Sequence, residues 1–170
     1  MDLPVGFPSD PERRLAPNQA PTPFTSEQIR LACPTGRINR FRVEQRRGSE
    51  TRIEVSVQHF VETNDIGAKI KSVSADIEKP VPGPSQELVL RWDELRAHAS
   101  YPAEQTKITR ETVTVPAGTY DCWLYTVNDG NFISRYWFAR TLAGPPILAT
   151  VERRGKLVRK IDLIDLAIGS

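Results

Sequence analysis

Thr112–Phe138, TVTVPAGTYDCWLYTVNDGNFISRYWF, decides the fold. Polar and large apolar residues alternate along it with period two, the pattern of strands whose two faces are both in use. Two turn signals divide it. Pro116-Ala117-Gly118 separates a strand at Ile108–Val115 from one at Thr119–Val127. Asn128-Asp129-Gly130-Asn131 then supplies the positive φ angles of a primed hairpin turn before a strand at Phe132–Ala139. The segment holds three of the four tyrosines and two of the three tryptophans, so the packing of the protein is concentrated in this ribbon.

Strand signals continue in both directions. Gly144-Pro145-Pro146 makes a corner, after which Ile147–Glu152 pairs with Leu157–Leu166 across Arg154-Gly155. Upstream, Phe41 and Val43 alternate with charged residues. Ile53, Val55, Val57, His59 and Val61 put five positions on one strand face. A third strand carries Ile70, then Val73, Ala75 and Ile77, and the change of parity predicts a bulge there. Lys79-Pro80-Val81-Pro82-Gly83-Pro84-Ser85 is a loop that no central strand can cross, and Leu88–Leu90 is a short apolar run. Thr25-Ser26-Glu27-Gln28 has the capping-box form and predicts a helix over Ser26–Cys33. Trp92–Ala99 reads as a second helix, stopped by Tyr101-Pro102. The content predicts a mainly β protein: a curved antiparallel sheet of about eight strands, a half-barrel or open barrel, with one or two short helices. A sheet of that width curls, and its concave side must be filled by the Trp92 helix, a second sheet or a ligand.

Six of the 14 prolines (Pro4, Pro8, Pro11, Pro17, Pro21, Pro23) fall before Phe24. That segment has no periodicity and cannot by itself bury enough apolar area to offset its ordering entropy. It reads as an extended arm over residues 1–23, with one β-rich domain over residues 24–170. Prolines lower the ordering cost of an arm laid along a partner, which makes Pro4, Phe7, Pro8, Pro11 and Pro17 the candidate docking residues. A net charge of +2 argues against nucleic acid as partner. The basic clusters Arg37–Arg47 and Arg153–Lys160 read as the polar faces and turns of strands. No apolar run approaches the ~18 residues needed to span a bilayer. Met1-Asp2-Leu3-Pro4 has neither a basic nor an apolar leader region, so the chain as written reads as cytoplasmic, and as periplasmic if it is a processed form. Cys33 and Cys122 admit one disulfide, but two buried thiols is the favoured reading.

Catalytic chemistry finds no constellation. His59 and His98 lie far apart, without CxxC or HExxH spacing, so no metal site is expected. Cys122 shares its parity with Tyr120 and Leu124, as a structural thiol does, and reactive thiolates sit instead at helix N-termini or beside cations. Asp93-Glu94 reads as helix-start acids, and Asp162 with Asp165 as polar strand positions. No phosphate loop, nucleophile elbow or dinucleotide fingerprint occurs. The expectation is therefore no enzyme, no cofactor and no metal. The aromatics are the functional lead: Trp92, Trp123, Tyr125, Tyr136 and Trp137 are the candidate face for a partner or ligand.

Val115-Pro116-Ala117-Gly118-Thr119-Tyr120-Asp121-Cys122, followed by Arg135-Tyr136-Trp137-Phe138-Ala139, resembles a hairpin-and-strand pattern of uncharacterised bacterial β-rich proteins. Many of those look like periplasmic or lipoprotein-type domains, and the resemblance implies a lipoprotein-carrier-like curved sheet. It covers about the last 60 residues and carries over no catalytic residue. The expected function is a non-enzymatic binding or accessory module, docking on a protein partner through the arm and the aromatic face. The alternative is a carrier of a lipid or other apolar ligand in the concave face.

Overall fold

Turn chemistry sets the strand ends. The computed structural model describes residues 1–77 and 83–169. It contains β1 (Arg37–Arg47), β2 (Glu50–Thr63), β3 (Gly67–Asp76), β4 (Gln86–Arg91), β5 (Thr106–Val115), β6 (Gly118–Asn128), β7 (Phe132–Ala139), β8 (Leu148–Arg153) and β9 (Lys156–Ile168). Between β6 and β7, the Asp129 carboxylate accepts from the Asn131 and Phe132 amides at 2.9 and 2.8 Å. Between β8 and β9, Arg154 and Gly155 take φ angles of 52° and 75°, the two left-handed residues of a type I′ hairpin. Most of the loop predicted at Lys79–Ser85 lies outside the described residues.

All nine strands form one open antiparallel sheet, in the order β4-β3-β2-β1-β9-β8-β7-β6-β5. The mainly β class and the open sheet agree with the sequence reading. The ninth strand is the apolar run at Leu88–Leu90, which extends to six residues as an edge. Two meanders thus join side by side through β1 and β9. The chain between them must travel from one sheet edge to the other. It does so as α2 (Trp92–Ala97) and the segment through Gln105, laid on one sheet face. The other helix, α1 (Ser26–Ala32), packs against α2 and begins with the predicted capping box: Thr25 Oγ1 accepts from the Gln28 amide, and Gln28 Oε1 accepts from the Thr25 amide. Among the described residues, no helix is long and apolar enough to cross a membrane.

Two buried clusters flank the aromatic ribbon. Along β6 and β7, Trp123, Tyr125, Tyr136 and Phe138 join the cluster under the helices, while Cys122, Leu124, Trp137 and Ala139 join the other. The first is rich in tilted and edge-on ring pairs. Tyr125 meets Phe138 at 5.3 Å and 79°, and Phe24 meets Phe138 at 6.1 Å and 82°. Such pairs add about 0.5–1.5 kcal/mol each beyond the area they bury.

Three local expectations are corrected. The bulge lies on β2, not between Ile70 and Val73: the register with β3 shifts between Phe60 and Glu62, leaving Val61 unmatched. A parity change in sequence shows that two strands slip, not which one carries the extra residue. The core side chain of β2 is Phe60, opposite in parity to the Ile53–Val57 row, whose members stay half-buried. β-branched residues there satisfy strand geometry on a face that little covers. Finally, residues 1–23 do not stand away from the domain. Phe7, Arg13, Ala20 and Thr22 are buried, and the Phe7 ring lies 5.0 Å from that of Trp123.

Candidate functional site

The five aromatics singled out in the sequence do not form one face. Trp92, Trp123 and Tyr125 are buried beneath the helices and the N-terminal segment, and Trp137 lies on the opposite side of the ribbon from Tyr136. Trp92 donates its indole N–H to the Asn64 carbonyl at 2.8 Å, and the Tyr125 hydroxyl donates to the Pro21 carbonyl at 2.6 Å. Those polar tips are spent on internal partners. Of the expected docking residues, Phe7 is occupied by Trp123, Pro4 and Pro8 are half-buried, and Pro11 and Pro17 are exposed.

Of the five aromatics, Trp92 borders an opening among charged residues of α1, α2 and the β2–β3 turn, while Tyr136 borders a separate cleft of about 280 Å³ between the sheet and the helices. One wall is the sheet, with Gln58 and Phe60 from β2 and Tyr136 and Phe138 from β7. The opposite wall is helical, from Ile29 and Cys33 at α1 to Leu95, His98, Ala99 and Tyr101 at α2 and beyond. Gly144-Pro145-Pro146 closes one end. Among the described residues, no lysine, arginine or carboxylate side chain lines it. Its polar atoms are few, and Gln58 is already held by Asn39, whose side-chain amide donates to it at 3.0 Å. The Tyr101 and Tyr136 rings stack at 5.1 Å and 9°, and burial raises the Tyr101 phenol above its ordinary range.

Arg37 fixes the shape of this cleft from behind. Read in sequence as part of a solvated basic cluster, it is 2% exposed. Its Nη1 donates to the carbonyls of Ala32 and Ala143 at 2.8 and 3.0 Å and to Cys33 Sγ at 3.1 Å. Its Nε donates to Asn39 Oδ1 at 3.0 Å. One side chain thus ties the end of α1, strand β1 and the 143–146 corner together. Gly144 is required beside it: its φ is 134°, and a Cβ there would stand 3.3 Å from the guanidinium. Desolvation lowers the Arg37 pKa, and among the described residues its acceptors are the neutral groups just named.

The thiols do not supply a nucleophile. Burial raises the Cys33 pKa, and the nearby Arg37 only partly opposes that. Cys122 is pushed up to about 12, first by burial and then by the charges of Asp121 and Glu111. Both are free and fully buried, in separate clusters. Alkylation by iodoacetamide near neutral pH is therefore expected only in denaturant, and rapid native labelling of Cys122 would contradict this burial. The pH dependence has a definite sign. A thiol whose folded pKa exceeds its unfolded one contributes stability in full below about pH 9, lost as pH rises toward about 12. Denaturation midpoints should therefore fall more steeply above pH 9 in the native sequence than in Cys122→Ala. Among the described residues, no group of three or more potential metal ligands gathers.

Neither a protein-family model nor a curated protein matches the chain. Solved structures do. A crystal structure of MucB is 12% identical with a TM-score of 0.51, over 85% of this chain and 57% of that one. MucB in complex with MucA(peri) gives 13% and 0.51, over 85% and 54%. A Pseudomonas aeruginosa MucA/MucB complex gives 13% and 0.49, over 85% and 56%. The chain spans little more than half the length of these structures, and the likeness is one of fold.

Proposed function

We propose that the protein is a non-enzymatic binding module that receives a small apolar ligand, such as the end of an aliphatic chain, in the cleft beneath α2. The observation that carries this reading is the largely aromatic and aliphatic wall, without carboxylate, lysine or arginine among its described residues, of a cleft near 280 Å³. Small-ligand sites are mostly apolar concavities of about 300–1,000 Å³ with a few placed polar groups, and this one falls just below that range, so it takes part of a chain and not a bulky molecule. A charged head group would find no lysine or arginine among the described lining residues and would stay at the mouth, where the exposed His98 lies. The resemblance of the Val115–Cys122 hairpin to carrier-like domains points the same way.

N-phenyl-1-naphthylamine, a neutral apolar fluorophore, is expected to bind saturably and to be displaced by dodecanoate. Ala99→Trp, which fills the cleft from its helical wall, should weaken binding at least about tenfold, equivalent to 1.4 kcal/mol, with little change in melting temperature. Leu95→Trp is the second filling variant. Absence of saturable binding, or binding untouched by both variants, would overturn the proposal.

A second reading is docking of a protein partner. It is supported by the likeness in fold to MucB, one of whose structures is a complex with MucA(peri). Because Phe7 and the aromatic ribbon are occupied internally, such docking would use other surfaces of the domain.

A further inference from the structure

The apolar row that leads from the core does not end at a covered position. Phe60 of β2 is opposite Ile70 of β3, and Ile70 is opposite Leu88 of β4. Phe60 and Ile70 are 2% and 3% exposed, yet Leu88 is 51% exposed, and Val89 beside it 75%. β4 is the last strand on its side, and among the described residues no further strand pairs with it. The two sheet edges differ. β5 presents exposed Lys107, Arg110, Glu111, Thr112 and Thr114, the kind of composition that blunts an edge. β4 reads Gln-Glu-Leu-Val-Leu-Arg, with an apolar centre between one acid and one base.

Its free backbone groups can be assigned. The Trp92 amide donates to the Ile66 carbonyl at 3.1 Å, and these two residues continue the β3–β4 register one step beyond Gly67 and Arg91. By the alternation of an antiparallel ladder, Leu90, Leu88 and Gln86 point their N–H and C=O groups at β3. Glu87, Val89 and Arg91 therefore point theirs outward.

We propose that two copies of this chain pair through β4, antiparallel, about a two-fold axis at Val89. That register sets Val89 against Val89, Glu87 against Arg91, and Leu88 against Leu90, and it uses every outward backbone group of the three residues. An axis on Glu87 or on Arg91 would instead face like charges. An axis on Leu88 or Leu90 faces no like charges but leaves Arg91 or Glu87 without its opposite charge. The Val89 axis is thus the register in which the strand is most complementary to itself, the condition of an isologous contact. Leu90 of the second copy continues the row Phe60–Ile70–Leu88. Glu87 and Arg91 have intrachain neighbours, Lys69 at 3.7 Å and Glu94 at 3.1 Å, but these are exposed pairs of little net worth. One short edge buries less than the roughly 1,200–2,000 Å² of a standard stable interface, so the dimer should depend on concentration.

Sedimentation equilibrium of the full chain tests this. The mass is expected to rise with concentration from 19.1 kDa toward twice that value. Glu87→Arg alone and Arg91→Glu alone should each stay monomeric, because each sets like charges across the axis. An equimolar mixture of the two variants, and the double variant E87R/R91E, should both recover the dimer. A wild-type chain that is monomeric at every concentration would overturn the proposal. So would single variants that dimerise like wild type, or a mixture and a double variant that both fail to recover.

Discussion

Deletion of residues 1–23 is expected to cost the domain most of its stability and to leave it prone to aggregation. The segment covers the aromatic face. Phe7 lies against Trp123, which Arg140 flanks at 4.6 Å. The Ala20 amide donates to the Tyr101 carbonyl at 2.8 Å, and Pro21 supplies the acceptor of the Tyr125 hydroxyl. Arg13 is buried and donates to the Pro23 carbonyl at 2.7 Å and to Gln28 at 3.2 Å. Arg96 of α2 reaches the Glu12 carbonyl and, at 3.1 Å, the Thr22 hydroxyl. Truncation uncovers Trp123 and Phe24 and leaves the Tyr125 hydroxyl without its acceptor. Phe7→Ala alone is expected to cost about 3 kcal/mol, the scale of large-to-small changes at buried phenylalanines. Whole domains hold only about 5–15 kcal/mol. Urea denaturation of the truncated chain and of Phe7→Ala checks this. A truncated chain with an unchanged midpoint would mean that the segment is a detachable arm after all.

Arg37→Ala should be nearly as damaging. The substitution leaves the Ala32 and Ala143 carbonyls and Asn39 Oδ1 without their donor in a largely buried site. Each buried acceptor left unsatisfied costs about 1–3 kcal/mol, so a loss of about 3–5 kcal/mol is expected. Arg37→Lys should recover only part of it, because an ammonium on a flexible stem cannot hold several separate acceptors as a planar fork does. The 143–146 corner loses its tie in either variant, so binding of the apolar fluorophore should weaken alongside the urea midpoint. A loss under about 1 kcal/mol for Arg37→Ala would show that water replaces the guanidinium without cost.

Much of the architecture was legible in the chain because it is locally encoded. The capping box at Thr25–Gln28 involves atoms three residues apart, and it forms wherever a helix starts there. The turn after Asp129 places Gly130 at φ 94°, and the Arg154-Gly155 turn takes two positive φ angles, conformations that few residues tolerate. Alternation along β6 and β7 divides Trp123 and Tyr125 from Cys122 and Leu124 as the period of two requires. The cleft was legible only in outline. The sequence shows Tyr136 as a strand aromatic and Gly144-Pro145-Pro146 as a corner, but nothing in it brings them to Phe60, Leu95 and Ala99. Those meetings span residues 29–146, and they depend on the crossover from β4 to β5.

The aromatic ribbon Thr112–Phe138 was determined by sequence alone to be a pair of hairpin-linked strands with large residues on both faces. Which of those residues would be free was not. A strand's period fixes only that neighbours point apart; what covers each side depends on the free energy of distant segments. Residues 1–23 cannot bury enough surface among themselves, and by their own composition they would stay extended. Laid over Trp123 and Tyr125, the same residues gain a ready-made apolar surface and acceptors for buried donors, and that gain exceeds their ordering entropy. Local chemistry therefore set the strands and turns, and only tertiary contact decided that the aromatic face is core and the cleft beneath α2 is open.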